Sequence, residues 1–184
     1  RARRVPLSPL SVRARKRRKY FRRQMYQRMK VSYRLSPLVR KGSPISDPCQ
    51  VPQYSGTPGW IYLTHTEQGN AHAYFTDSKG ERPENLALVM DERLCCDTIF
   101  RVVRLAPKIY IAYDLLVLNG TRIHETLTFS QRQIKIEGLL ELFHHPDFVA
   151  LIPIADAPVG IHVRGYEQYD EVPGSIGVYL PVVE

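Results

Sequence analysis

Between Lys108 and His145 the spacing of apolar residues changes from a strand-like to a helical pattern. Ile109, Ile111, Tyr113, Leu115 and Val117 share one parity, while Tyr110, Ala112, Leu116 and Leu118 make the other parity apolar too. A strand covered on both faces has this pattern. Asn119-Gly120 suits the two positive φ angles of a tight hairpin turn, and Thr121 to Thr128 are predicted to return as a shorter, more polar strand. Ser130 with Gln133 forms a capping-box pattern, followed at helical spacing by Ile136, Leu139, Leu140 and Phe143. Pro146 is expected to stop that helix. Gly138 costs it about 1 kcal/mol relative to alanine, which burial must offset.

The same alternation predicts strands at Trp60–Thr64, Ala71–Thr76 and Thr98–Leu105 before this unit. It predicts Phe148–Ile154, Val159–Arg164 and Ile176–Val183 after it. Glu67–Asn70 and Asp77–Gly80 read as turns, and Gly165–Ser175 as a loop. Leu86–Met90 fits a short strand or a buried turn. The predicted fold class is therefore α+β: a mainly antiparallel β-sheet domain over residues 59–184, with about eight strands and one main helix. Residues 42–58, with Pro44, Pro48, Pro52 and Pro58, read as a Pro-rich extended linker.

Charge divides the chain in the same place. Residues 1–41 carry 16 Lys/Arg and no Asp or Glu; 10 of the 26 basic groups and all 18 acidic ones follow, a net of −8. The overall +8 thus describes a basic N-terminal arm on an acidic domain. Ser11 could cap a helix over Val12–Lys30, with Phe21, Met25, Met29 and Tyr33 four apart as an apolar stripe. Arg13, Arg15, Lys16, Arg17, Arg18, Lys19, Arg22, Arg23, Arg28 and Lys30 would cover the remaining surface, with Tyr20 among the aromatics available to stack on bases. Such an arm repels itself and becomes compact on a polyanion, for which RNA phosphate is the economical candidate.

Cys49, Cys95 and Cys96 give neither a disulfide framework nor zinc spacing. The histidines lack a ligand pattern, so no metal is expected. No apolar run approaches a membrane span. Starting at Arg1, the chain is expected to be processed or partial, and its Arg-rich, acid-poor start is similar to a mitochondrial targeting sequence. The expected location is the mitochondrion, with cytoplasm or nucleus as the alternative.

Ala112-Tyr113-Asp114-Leu115-Leu116-Val117-Leu118-Asn119-Gly120, followed by Phe129-Ser130-Gln131-Arg132, resembles the covalent nucleotidyltransferase fold of mRNA capping enzymes, DNA ligases and RNA ligases. Val159-Gly160-Ile161-His162-Val163 and the stretch from Tyr169 to Pro181 are closer to the cap-binding domain of snurportin. The resemblance covers residues 59–183 and implies a nucleophilic lysine in a K-x-D-G-x-R pattern, whose amine would attack an α-phosphate. That position reads His65-Thr66-Glu67-Gln68-Gly69-Asn70, and no lysine occurs between Lys41 and Lys79. The acidic motif implied before the central strand is replaced by Arg101-Val102-Val103, and the closing lysine pair is missing. His65, Glu67 and Asn70 would then line a degenerate nucleotide pocket, with no catalytic residue and no cofactor. Cap binding would need a stacking tryptophan in Ser130–Lys135, but the one tryptophan is Trp60.

The expectation is a non-catalytic, RNA-binding architectural subunit of a large ribonucleoprotein such as a divergent mitochondrial ribosome. It would contact RNA and neighbouring proteins, and no membrane. The alternatives are a snurportin-like capped-RNA import adaptor and a viral structural protein with a genome-binding arm.

Overall fold

The computed structural model describes residues 27, 29, 30, 32, 33, 39–65, 68–80, 83–88, 91–141 and 149–182. These form an α+β structure dominated by β-sheet. The strands are β1 (Val39–Lys41), β2 (Cys49–Tyr54), β3 (Thr57–His65), β4 (Ala71–Asp77), β5 (Glu84–Leu86), β6 (Thr98–Ala106), β7 (Ile109–Val117), β8 (Ala150–Pro153), β9 (Val163–Tyr169) and β10 (Gly177–Pro181); helix α1 spans Phe129–Leu140. A six-stranded sheet has the order β5-β4-β3-β6-β7-β8, and a four-stranded sheet the order β1-β10-β9-β2. Pairing is antiparallel except for β7 with β8 and β1 with β10.

One face of the large sheet packs Ile61, Phe75, Phe100, Val102 and Ala112 against Ile136 and Leu140 of α1. The opposite face is covered in two places. At one end Val103, Ile111 and Tyr113 meet Val51 and Tyr54 of β2. At the other, Tyr62, Tyr74, Ile99 and Val117 meet Met29 and Tyr33. Both parities of β7 are apolar because each of its faces is covered. Register shifts along β6 and β7 let Leu115 join the same core as Tyr110 and Ala112 despite its opposite parity. Gly59 is required where β3 crosses β4, since a Cβ there would lie 2.0 Å from the Thr76 carbonyl oxygen.

The Asn119-Gly120 turn forms as predicted, with φ of 47° and 82° and reciprocal backbone bonds between Leu118 and Thr121 of 2.9 and 3.0 Å. The predicted return strand does not. Residues Ile123–Glu125 form a 3-10 turn instead. Ile123 and Leu127, four residues apart, both reach the core, and that spacing selects a helical path over an alternating one. The chain then crosses through α1 to β8, parallel to β7, so the central unit is a β-α-β crossover rather than a hairpin.

Helix α1 also begins two residues earlier than Ser130 would set it. Thr128 is the N-cap: its hydroxyl accepts from the Gln131 N–H at 3.3 Å, and the Gln131 side chain accepts from the Thr128 N–H at 2.9 Å. Two overlapping capping-box patterns exist here. Burial of Phe129 in a stack on Tyr169, at 3.8 Å between centroids and 3° between planes, favours the earlier one. Phe143 and Pro146 lie outside the described residues.

The expected linker is part of the fold. Residues 49–54 form β2 and pair with β9, while residues 39–41 of the expected arm form β1 on β10. Pro52 is accommodated because β2 is an edge strand. Its free side is closed by the Tyr113 hydroxyl, which accepts from the Tyr54 N–H at 2.9 Å and donates to the Pro52 carbonyl at 2.9 Å. Val159-Gly160 is a turn rather than a strand start, and β9 runs through the first half of the expected Gly165–Ser175 loop. Glu167 points inward there, so a charge occupies the position where alternation predicts an apolar residue.

Candidate functional site

Besides β1, the arm meets the body of the fold through Met29 and Tyr33, and there the contact centres on one aspartate. Met29 is 1% exposed and, with Tyr33 one helical turn later, packs on Tyr62 and Ile99 of the large sheet. The Tyr33 hydroxyl donates to the Asp97 carboxylate. The same carboxylate accepts from the Tyr62 hydroxyl at 2.7 Å and the Thr64 hydroxyl at 2.8 Å. Asp97 also turns the chain into β6 with φ of 67°, and its carbonyl accepts from the Gly120 N–H at 2.9 Å. One residue therefore joins the arm, β3, the start of β6 and the Asn119-Gly120 turn. The Met29–Tyr33 spacing was legible as an apolar stripe. The docking partner Asp97 was not, because a single acid after Cys95-Cys96 has no distinguishing pattern.

Of the cations assigned to RNA, Lys30 is helical and exposed. Arg13, Arg15, Lys16, Arg17, Arg18, Lys19, Tyr20, Arg22, Arg23 and Arg28 lie outside the described residues. Of the degenerate-pocket residues, His65 ends β3 opposite Ala71, and Asn70 is exposed just before β4. Glu67 lies outside the described residues. His65 and Asn70 thus sit at the tip of the β3–β4 connection. An open groove lies elsewhere, along α1, between Leu127, Ile134 and Leu139.

Two buried charge pairs hold the layers together, and neither was read from the sequence. Arg132 and Asp114, both fully buried, join α1 to β7: the guanidinium donates from Nε to Oδ1 at 2.7 Å and from Nη2 to Oδ2 at 3.1 Å. The remaining nitrogen donates to the Leu127 carbonyl at 2.7 Å. The aspartate of the YD-NG stretch and the arginine of the following helix start are therefore structural partners. Arg101 of β6 pairs with Glu167 of β9 across the two sheets, with Gln53 donating to the same carboxylate at 2.8 Å and Tyr169 at 2.7 Å. Burial opposes ionisation of Glu167, but Arg101, Gln53 and Tyr169 outweigh it and hold its pKa below the usual carboxylate value.

Burial, reinforced by the Arg132 charge, holds the His124 imidazole below its ordinary pKa. No group of three or more His, Cys, Asp or Glu side chains among the described residues is arranged to hold a metal ion. No helix among them is long and apolar enough to cross a membrane. No protein-family model matches the chain, and no curated protein matches it.

Proposed function

We propose that this chain is a non-catalytic architectural subunit of a large ribonucleoprotein, binding RNA phosphates through residues 1–41 and neighbouring proteins through its β domain. The observation that carries the reading is a charge division with a fixed junction. Sixteen cations without one acid precede a body of net −8, and two residues within that cationic segment, Met29 and Tyr33, are seated on the body, Tyr33 through a hydrogen bond to Asp97. An arm rooted in this way delivers charge to a polyanion from a defined point on a folded scaffold, with affinity from counterion displacement and little sequence choice. Loss of the lysine pattern at His65 favours a scaffold over an enzyme. A mitochondrial ribosome is the assembly proposed, as one in which a densely basic, acid-free segment would meet RNA.

The test is sedimentation of the tagged chain from its native cell extract. It should travel with RNA-containing particles and move to the top of the gradient after ribonuclease treatment. Sedimentation as a free 21.2 kDa protein in untreated extract would refute the proposal.

A further inference from the structure

We propose that the outward face of α1 docks a basic amphipathic helix of a neighbouring protein, seated along Leu127, Ile134, Gly138 and Leu139. This deepens the functional reading above and rests on its protein-contact half. Inward, Phe129, Arg132, Ile136 and Leu140 of α1 are buried against the fold. Outward, Ile134 is 70% exposed on a groove of about 460 Å³ whose other apolar walls are Leu127 and Leu139. Both faces of the helix are therefore apolar, and the sheet covers one of them.

Gly138 marks the point of closest approach. Glycine is the poorest helix former after proline, yet it stands inside α1. No contact within the fold requires it, since a Cβ there would meet nothing within 4 Å. The missing side chain leaves a notch one turn from Ile134, and helices approach more closely where the contact residue is small.

Backbone chemistry selects a helix as the occupant. The groove offers no strand edge, so an extended peptide lying in it would leave its N–H and C=O groups unpaired, whereas a helix satisfies its own. Charge selects a basic one. At about 3.6 residues per turn, Glu137 and Glu141 fall on the Ile134 side of the groove and Lys135 on the Leu139 side. Ser130 lies on the acidic side too, and its hydroxyl donates to exposed Glu171. None of these three glutamates has an ion-pair partner among the described residues. The last turn of α1 carries no basic residue, although the helix dipole favours cations there. Cations of a docked helix would supply that missing charge, while RNA phosphates or anionic lipid would be repelled by it.

The experiment places photoreactive p-benzoylphenylalanine at position 134 of the tagged full chain, expressed in its native cells. Irradiated extract is sedimented, and crosslinked peptides are mapped by mass spectrometry. The crosslinks should fall in one segment of another protein, with net positive charge and apolar residues at i, i+3 or i+4, and i+7. Gly138→Leu fills the notch and removes the helix-breaking residue. Its urea midpoint should equal or exceed the parent's, while the crosslink yield from position 134 falls about tenfold, as for a lost hot-spot contact. Glu137→Lys/Glu141→Lys should also lower the yield, with the fold retained, by setting like charges against each other. Crosslinks only to RNA, to this chain's own peptides or to an acidic or non-helical segment would overturn the docking, as would an undiminished yield from Gly138→Leu. If the chain still sediments with RNA-containing particles in those cases, the ribonucleoprotein reading stands. A chain that sediments free of RNA and forms no crosslink to another protein would overturn both.

Discussion

Removing the Asp114 carboxylate should destabilise the fold more than any surface substitution, because Arg132 would keep its charge inside the protein without a counterion. Both side chains are fully buried, and two of the three described guanidinium contacts shorter than 3.2 Å go to Asp114. Asp114 additionally accepts from the Leu115 N–H at 2.8 Å, so the deletion also strips a backbone group on β7. Breaking a buried pair by removing one partner costs about 3–5 kcal/mol. Against a domain stability of about 5–15 kcal/mol, that is a third or more of the total in most of the range. Urea unfolding of Asp114→Ala, followed by circular dichroism at pH 7, should show a correspondingly lower midpoint. The double variant Asp114→Leu/Arg132→Leu removes both charges and should recover much of the loss, giving a coupling of about 2 kcal/mol or more. Glu84→Ala, which breaks a partly exposed pair with Arg104 at 3.2 Å, should barely move the midpoint. A nearly unchanged midpoint for Asp114→Ala, or strictly additive single substitutions, would refute the assignment of this pair as the α1–β7 lock.

Three further outcomes follow from the same geometry. Tyr113→Phe should cost about 1–3 kcal/mol in the same unfolding assay, because the Tyr54 N–H and the Pro52 carbonyl lose their shared partner on β2. His124 has a lowered folded-state pKa, so the unfolded chain binds its proton more readily. Its contribution to stability is complete above about pH 6.5 and falls as pH drops below that, until the folded imidazole is itself protonated. His124→Gln should remove that part of the pH dependence of the unfolding midpoint, and Arg132, Asp114 and Glu125 are the charges acting on it. Maleimide labelling of the native protein, mapped by mass spectrometry, should modify exposed Cys96 well before Cys95, which is fully buried and whose thiol burial pushes up in pKa.

The fold was most legible where burial and periodicity agree. β3, β4, β6 and β7 were visible from alternation or from doubly apolar parity, and the Asn119-Gly120 turn from its chemistry. Legibility failed where polar residues sit inside. Glu167 hid β9 because its neutralising partner Arg101 lies 66 positions away, and nothing local marks it as interior. Pro52 disguised β2 as linker, since only the edge position makes a proline acceptable there. The return strand after Gly120 was predicted from the turn alone, whereas the Ile123–Leu127 spacing set the actual path. At the arm's junction, Phe21 and Met25 of the four-residue stripe lie outside the described residues, while Met29 and Tyr33 pack on the body. Their partners Tyr62, Ile99 and Asp97 come together only through the pairing of β3 with β6.

The arm as an RNA-phosphate contact is tested most directly by comparing the full chain with one lacking residues 1–26, which retains Met29, Tyr33 and β1. Oligouridine affinity measured from low to moderate salt should fall steeply for the full chain, with a log–log slope beyond about −4, each phosphate contributing about −0.7. The shortened chain should bind at least about tenfold more weakly and with a shallower slope. Equal affinities for the two chains, or a flat salt response of the full one, would contradict the account.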